Sequence, residues 1–172
     1  MEQKKVILLA GPTASGKSKL AIKLAKYFDG EIINADSMQI YKEISILTSK
    51  PISQDRKIIK HHLYGINSVK KKFSTGEWLN LTIKKINEQW ANKKTPIVVG
   101  GTGLYFKALT DGLVKIPNIP IKTRNQVRKL HKKIGQKKFF IRLSKLDPLA
   151  KKSISPYDKQ RAMRAYEVKK FT

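Results

Sequence analysis

The sequence contains no cysteine, which excludes disulfides, thiolate zinc sites and cysteine nucleophiles together and suits a reducing compartment. Long apolar runs are also missing. The N-terminal Val6-Ile-Leu-Leu-Ala10 has five apolar residues, too few for a signal-peptide core or a bilayer span. The chain therefore reads as soluble and cytoplasmic, with no membrane partner. Acidic side chains are scarce: 12 Asp and Glu stand against 37 Lys and Arg, a formal charge of +25. Such an excess points to a polyanionic partner, because each phosphate neutralised by the protein releases counterions.

A lysine-rich coding bias competes with that reading, and the distribution of charge bears on the choice. Residues 115–172 hold 18 basic and 3 acidic residues, whereas residues 1–114 hold 19 and 9. A nucleic-acid surface is thus expected largely in the last third. The length of 172 residues suits one domain and part of a second. A chain of this size buries roughly 70% of its unfolded surface, so no covalent or metal staple is required.

The pattern along the chain predicts an α/β fold. Residues 5–10 read as a strand buried on both faces, ending in a glycine loop. Leu20, Ile22, Leu24, Ala25 and Phe28 recur at helical spacing opposite Lys19, Lys23 and Lys26, predicting an amphipathic helix over 18–28. Residues 31–35 read as a second strand ending at Asp36. Ser74 or Thr75 can cap a helix through Trp90, with Glu77 in its first turn. Residues 95–99 read as a third strand, followed by Gly100-Gly-Thr-Gly103 and a short helix over 104–109. Strand, helix, strand, helix, strand with short connections implies a parallel, right-handed sheet. Residues 40–60 show no clear period. We place the core at 1–112 and a basic helical region at 113–172, with corners at Pro117 and Pro120 and breaks at Gly135 and Asp147-Pro148. Lys138–Leu146 fits strand or helix by periodicity and is read as helix. Asp158 can cap a final helix over 159–170.

The chemistry begins at Gly11, Pro12, Thr13, Ala14, Ser15, Gly16, Lys17 and Ser18, which satisfy G-x-x-x-x-G-K-[ST] between a strand and a helix. Glycines let the backbone wrap an anion, and free amides at the helix start point at it. Lys17 supplies a positive charge to a terminal phosphate, and Ser18 can hold Mg²⁺. The motif marks a diphosphate or nucleotide site of P-loop type, ATP included, without naming the compound. ATPases and kinases add a carboxylate after a later apolar strand, but Ile97-Val-Val99 runs into Gly100-Gly101. The carboxylate comes instead at Asp36. In a parallel sheet both strand ends open on the same edge, so Asp36 can take a proton from a nucleophile beside the phosphate. A simple loop or capping aspartate would share that spacing.

Three segments together, Gly11-Pro-Thr-Ala-Ser-Gly-Lys-Ser18, Asn34-Ala-Asp-Ser-Met-Gln-Ile-Tyr41 and Gly100-Gly-Thr-Gly-Leu-Tyr105, resemble the tRNA dimethylallyltransferase (tRNA isopentenyltransferase) family. Thr48-Ser-Lys-Pro51, His61-His-Leu63, Phe73-Ser-Thr-Gly-Glu77, Asp147-Pro148 and Asp158-Lys-Gln-Arg-Ala-Met-Arg-Ala-Tyr-Glu-Val168 extend the resemblance over essentially the whole chain. It implies transfer of a dimethylallyl group from dimethylallyl diphosphate to N6 of the adenosine beside the anticodon, with Mg²⁺ assisting. The loop Thr13–Ser18 would then cradle a leaving diphosphate. Asp36 would be the general base, and Asp36, Ser37, Met38 and Gln39 would contact the adenosine region. Thr102 and Arg124 would stand near the reacting centre, Arg124 neutralising the departing diphosphate.

Gln160, Arg161, Ala162, Met163 and Arg164 match a segment that touches the anticodon arm of tRNA, although an ordinary solvated basic face would look the same. By resemblance the protein is a monomeric prenyl transferase, and family members continue beyond the helix in which this chain ends. The sheet and RNA cradle are therefore expected to be incomplete, and activity of this short form is doubtful. Three other readings stay open: a small-molecule P-loop kinase or ATPase, prenyl transfer to a free adenine nucleotide, and a non-catalytic RNA-binding remnant. His61 and His62 have no cysteine and no i,i+4 partner, so they read as structural and not as metal ligands. Trp78 and Trp90 read as core.

Overall fold

A computed structural model describes residues 4–44, 50, 51, 53–114, 116 and 118–172. Thr48 and Ser49 of the matched segment and the corner at Pro117 lie outside them. The chain divides into two compact units, Met1–Leu113 and Val114–Thr172.

In the first unit, β1 (Ile7–Ala10), β2 (Gly30–Asn34), β3 (His61–His62) and β4 (Thr95–Gly100) form one parallel sheet in the order β1-β4-β2-β3. Parallel neighbours need crossovers. Those connections carry α1 (Lys17–Tyr27), α2 (Ser53–Ile58) and α3 (Thr75–Ala91), and α4 (Gly103–Asp111) follows β4. Side-chain alternation sorts the core into two layers. Ile32, Ile97 and Val99 pack with Ala21 and Ala25 of α1. Ile33 and Val98 pack with Trp78 and Ile86 of α3 and Tyr105 of α4. The result is a helix–sheet–helix sandwich whose central strand β4 is buried from Pro96 to Gly100.

The start of α3 follows from sequence: Ser74 Oγ accepts from the Glu77 amide at 3.2 Å, and a Glu77 carboxylate oxygen accepts from the Ser74 amide at 2.7 Å. This is a reciprocal capping box.

Two elements differ from expectation. β1 is not buried on both faces. It lies at the sheet edge and alternates in burial, with Leu8 41% exposed. Its apolar run is therefore one-sided in packing although two-sided in composition. The aperiodic stretch before residue 60 contains α2, and His61-His62 supplies the short strand β3. Two residues are too few to show a period.

The second unit is helical: α5 (Ile121–Leu146), α6 (Pro148–Ser153) and α7 (Lys159–Phe171). Gly135 interrupts α5 with φ 73°, a left-handed conformation that glycine adopts without steric cost. Lys138–Leu146 is helical, with Phe139, Phe140 and Leu143 turned into a core that also holds Val127, Ala150, Ala162 and Tyr166. Asp147 Oδ1 caps α6 through the Leu149 amide at 3.2 Å, and Asp158 Oδ1 caps α7 through the Arg161 amide at 2.9 Å. Glu167 pairs with Arg164 at 3.3 Å. Every carboxylate side chain of this unit is thus engaged locally, against 18 basic residues. No helix among the described residues is long and apolar enough to cross a membrane.

Candidate active site

The loop between β1 and α1 turns on two left-handed residues, Ala14 (φ 63°) and Gly16 (φ 81°). Gly16 is the N-cap of α1, makes no side-chain cap, and no acid occupies the first turn. The orphan amides and the positive end of the dipole at that helix start are therefore not satisfied by the protein's own carboxylates. Ser15 Oγ donates to the Pro12 carbonyl at 2.8 Å, and the Lys17 ammonium donates to that same carbonyl and to Ser15 Oγ, the latter at 3.3 Å. The lysine charge is thus held across the mouth of the loop.

Asp36 follows β2 and is positioned by Asn34. The Asn34 side chain is fully buried, and its Oδ1 accepts from the Asp36 amide at 2.9 Å. Its Nδ2 donates to the carbonyls of Asp36 at 3.0 Å and Leu63 at 3.1 Å. From α3, Trp78 Nε1 donates to the Asn34 carbonyl at 2.8 Å, while the Trp78 ring stacks on Tyr105 at 4.2 Å. Asp36 Oδ1 accepts from the Met38 amide at 2.9 Å.

The turn after β4 closes on this loop. Thr102 Oγ1 accepts from the Ser37 amide at 2.9 Å and lies 3.3 Å from Ser37 Oγ; the Thr102 amide donates to the Ala35 carbonyl at 3.2 Å. Both hydroxyl contacts of Thr102 go to Ser37, so it ties the glycine turn to the Asp36 segment. A Cβ on Gly100 would land on the Ala35 backbone, and one on Gly101 would meet the Gly11 carbonyl at 3.3 Å. At position 100 only glycine lets the ends of β2 and β4 approach this closely.

These pieces meet around a cavity of about 360 Å³, whose walls include Thr13, Lys17, Ser18, Asp36, Met38 and Gln39. Ile44, Tyr64 and Val99 also line it. The Tyr64 hydroxyl is pushed well above the usual phenol range, first by burial and then by the Asp36 charge. Tyr105 is raised to about 12 by burial, then by Tyr41 and Asp36. Neither phenol ionises near neutrality. The cavity therefore joins the Thr13–Ser18 loop, which carries Lys17, to the Asp36 carboxylate, with the Tyr64 phenol in its wall.

The remaining expected site residues fall on other elements. Arg124 is on α5 in the second unit, and its Nε is buried without a partner among the described residues. Gln160, Arg161 and Arg164 are exposed on α7, but Ala162 is fully buried and Met163 half-buried. The side chain of Ala162 packs in the helical core. His61 and His62 make local contacts: His61 Nδ1 lies 2.7 Å from the Ile59 carbonyl, and His62 Nε2 lies 2.6 Å from Glu31.

Sequence reasoning did not single out Asn34 or Tyr64. Asn34 had a local signal, an Asx side chain two residues before Asp36 at the end of an apolar strand. Tyr64 had none, because its distance along the chain from Asp36 hides their proximity.

The family model for IPP transferase matches residues 39–172. The chain belongs to the IPP transferase family. The match starts beyond the phosphate loop and so is independent of that motif. Among relatives of this family member, the tRNA dimethylallyltransferase of Pelagibacter ubique (strain HTCC1062) is 60% identical over 171 residues, covering 99% of this chain and 55% of that protein. The tRNA dimethylallyltransferase of Rickettsia bellii (strain OSU 85-389) is 51% identical over 168 residues, covering 98% and 53%. The chain thus spans about half the length of the curated relatives it matches.

Two solved structures agree. A eukaryotic dimethylallyltransferase acting on tRNA superposes with a TM-score of 0.81 at 34% identity, covering 94% of this chain and 40% of that one. The full-length tRNA isopentenylpyrophosphate transferase of Bacillus halodurans gives 0.63 at 34% identity, covering 99% and 56%. The mixed α/β fold with its parallel sheet is therefore that of the tRNA isopentenyltransferases.

Proposed function

We propose that this chain carries the prenyl-transfer site of a cytoplasmic tRNA dimethylallyltransferase, which moves a dimethylallyl group from its diphosphate to N6 of the adenosine beside the anticodon. The observation that carries this reading is the convergence of Lys17, Ser18 and Asp36 on one cavity. The loop amides and Lys17 bind the diphosphate in P-loop fashion. The carboxylate of Asp36 takes a proton from the exocyclic amine as the new N–C bond forms and the allylic C–O bond breaks, and diphosphate leaves with the bonding pair. An allylic diphosphate departs readily once its charge is clamped, so positioning and electrostatics dominate.

Thr102 acts through Ser37 to hold the Asp36–Gln39 segment against the adenosine. The roles of Arg124 at the departing diphosphate and of Gln160, Arg161 and Arg164 on the anticodon arm rest on the resemblance. The exposure of the α7 residues and the surplus of cations in their unit support the RNA contact.

Magnesium fits this donor set. Among the described residues no group of three or more His, Asp or Glu could hold a metal. Magnesium instead takes one or two hard protein oxygens together with substrate phosphates, and Ser18 supplies such an oxygen on the cavity wall. When bound, it would offset the charge of the leaving group. A kinase or ATPase reading has less support, because glycines follow β4 where a metal-binding carboxylate would stand.

The test is to incubate the chain with Mg²⁺ and labelled dimethylallyl diphosphate, supplying tRNA, AMP or no acceptor. Label should pass to tRNA. Transfer to AMP alone, or ATP hydrolysis in place of prenyl transfer, would overturn the proposal.

A further inference from the structure

A second cavity bounded by described residues of the first unit is remote from the Gly11–Ser18 loop. It has about 580 Å³ and lies where β1, β2 and β4 begin, and its walls include Lys4, Lys5, Lys93, Lys94, Phe28 and Trp90. Register explains the cluster. Ile7 pairs with Ile97 and Gly30 with Thr95, so the residues just upstream of β1, β2 and β4 emerge side by side. From Lys5 to the loop at Gly11 is six residues of extended chain, roughly 20 Å. The two sites are therefore at opposite edges of the sheet.

The charges there are only partly compensated. Among the described residues, Lys94 pairs with Asp29 at 2.5 Å. Lys4 lies 5.5 Å above the Trp90 ring, and Trp90 Nε1 donates to the Lys5 carbonyl at 2.9 Å, fixing the wall. Lys5 and Lys93 are exposed and have no carboxylate partner among the described residues. Aromatic surface accompanies them at the end of α1: Tyr27 is 82% exposed and Phe28 44%, their rings 4.7 Å apart at 83°. Uncompensated cations beside exposed rings are what a nucleic-acid strand uses, phosphates meeting the ammonium groups and a base covering a ring.

We infer that this edge of the sheet is a second RNA-contact surface, which holds a strand of the tRNA away from the reacting adenosine. Lys5 and Lys93 neutralise backbone phosphates, and Tyr27 offers a stacking face. This inference rests on the tRNA reading of the active site.

The experiment measures binding of the full chain to unmodified tRNA across a salt series. Replacing both lysines, Lys5→Ala with Lys93→Ala, should lower the slope of log affinity against log salt by about 1.5, and Tyr27→Ala should weaken binding about fivefold or more. Lysine acetylation of the unaltered chain, with and without tRNA, reads the same surface without any variant. Lys5 and Lys93 should be protected by tRNA but not by AMP or inorganic diphosphate.

An unchanged slope, or no protection of these lysines while tRNA is bound, overturns this surface alone. Equal protection by AMP or diphosphate would make it a small-anion pocket and also overturns it. Failure of the unaltered chain to bind tRNA at any salt overturns the surface and the substrate reading together.

Discussion

Asn34 grips the backbone of Asp36 from both sides, accepting its amide hydrogen at 2.9 Å and donating to its carbonyl at 3.0 Å. The same amide group reaches the Leu63 carbonyl, and the Asn34 carbonyl is held by Trp78. A fully buried side chain thereby sets where the candidate base stands. Asn34→Ala should cost about 3 kcal/mol of stability, because it leaves buried backbone groups unpaired. It should also lower prenyl transfer more than tenfold while diphosphate binding persists. Denaturant melts and single-turnover transfer measure the two effects. Full activity in a folded Asn34→Ala would remove Asn34 from the positioning role.

Asp36→Ala should lower transfer at least about 100-fold, the usual scale for a general base. Binding of dimethylallyl diphosphate, read by calorimetry, should stay within a few fold of the unaltered chain. Loss of binding in step with chemistry would instead make Asp36 a structural or metal-holding residue.

Gly100→Ala tests the closeness of the strand ends. Its new methyl group would overlap the Ala35 backbone, and backbone cannot rotate away as a side-chain tip can. A loss of at least about 4 kcal/mol is expected, in the range reserved for gross overpacking. A soluble variant with an unshifted thermal midpoint would refute the contact.

His61 makes stability depend on pH. Its imidazole is held below the ordinary 6.5, chiefly by burial, with the Ile59 carbonyl opposing. It also packs edge-on to the cavity residue Tyr64, with ring centroids 5.6 Å apart. Because its folded value is depressed, the unfolded chain binds the proton more readily between the lowered value and 6.5. Stability from this group is therefore full above pH 6.5 and declines as pH falls below it. Urea midpoints from pH 7.5 to 5 should decline in the parent and decline less in His61→Gln. Parallel curves would exclude the histidine as the cause.

Arg161→Ala with Arg164→Ala addresses the α7 surface. Both side chains are exposed, each with a carboxylate three residues away. The pair of changes should reduce the salt slope of tRNA binding by about 1.5, leaving diphosphate affinity untouched. The helix cap does not depend on these side chains, since Asp158 accepts from the Arg161 backbone amide.

What could be read along the chain was whatever depends on neighbours in sequence. The G-x-x-x-x-G-K-S motif is contiguous, so Gly11, Gly16, Lys17 and Ser18 stand out as a set, and so do the Ser74–Glu77 capping box and the helical period of α1 and α3. The position of Asp36 at the end of an apolar run was equally legible, because parallel strands end on a common edge.

Tertiary structure decided what depends on residues far apart in the chain. Only packing shows that Asn34 and Trp78 hold the Asp36 loop, that Tyr64 walls the cavity, and that Thr102 reaches Ser37. Strand order put β1 at an edge and half-exposed Leu8, which its composition concealed. Burial of Ala162 turned one residue of an RNA-matching segment into core, since a helix presents only some of its faces. The lysines at the far edge of the sheet are scattered in sequence, and parallel register alone gathers them into one surface.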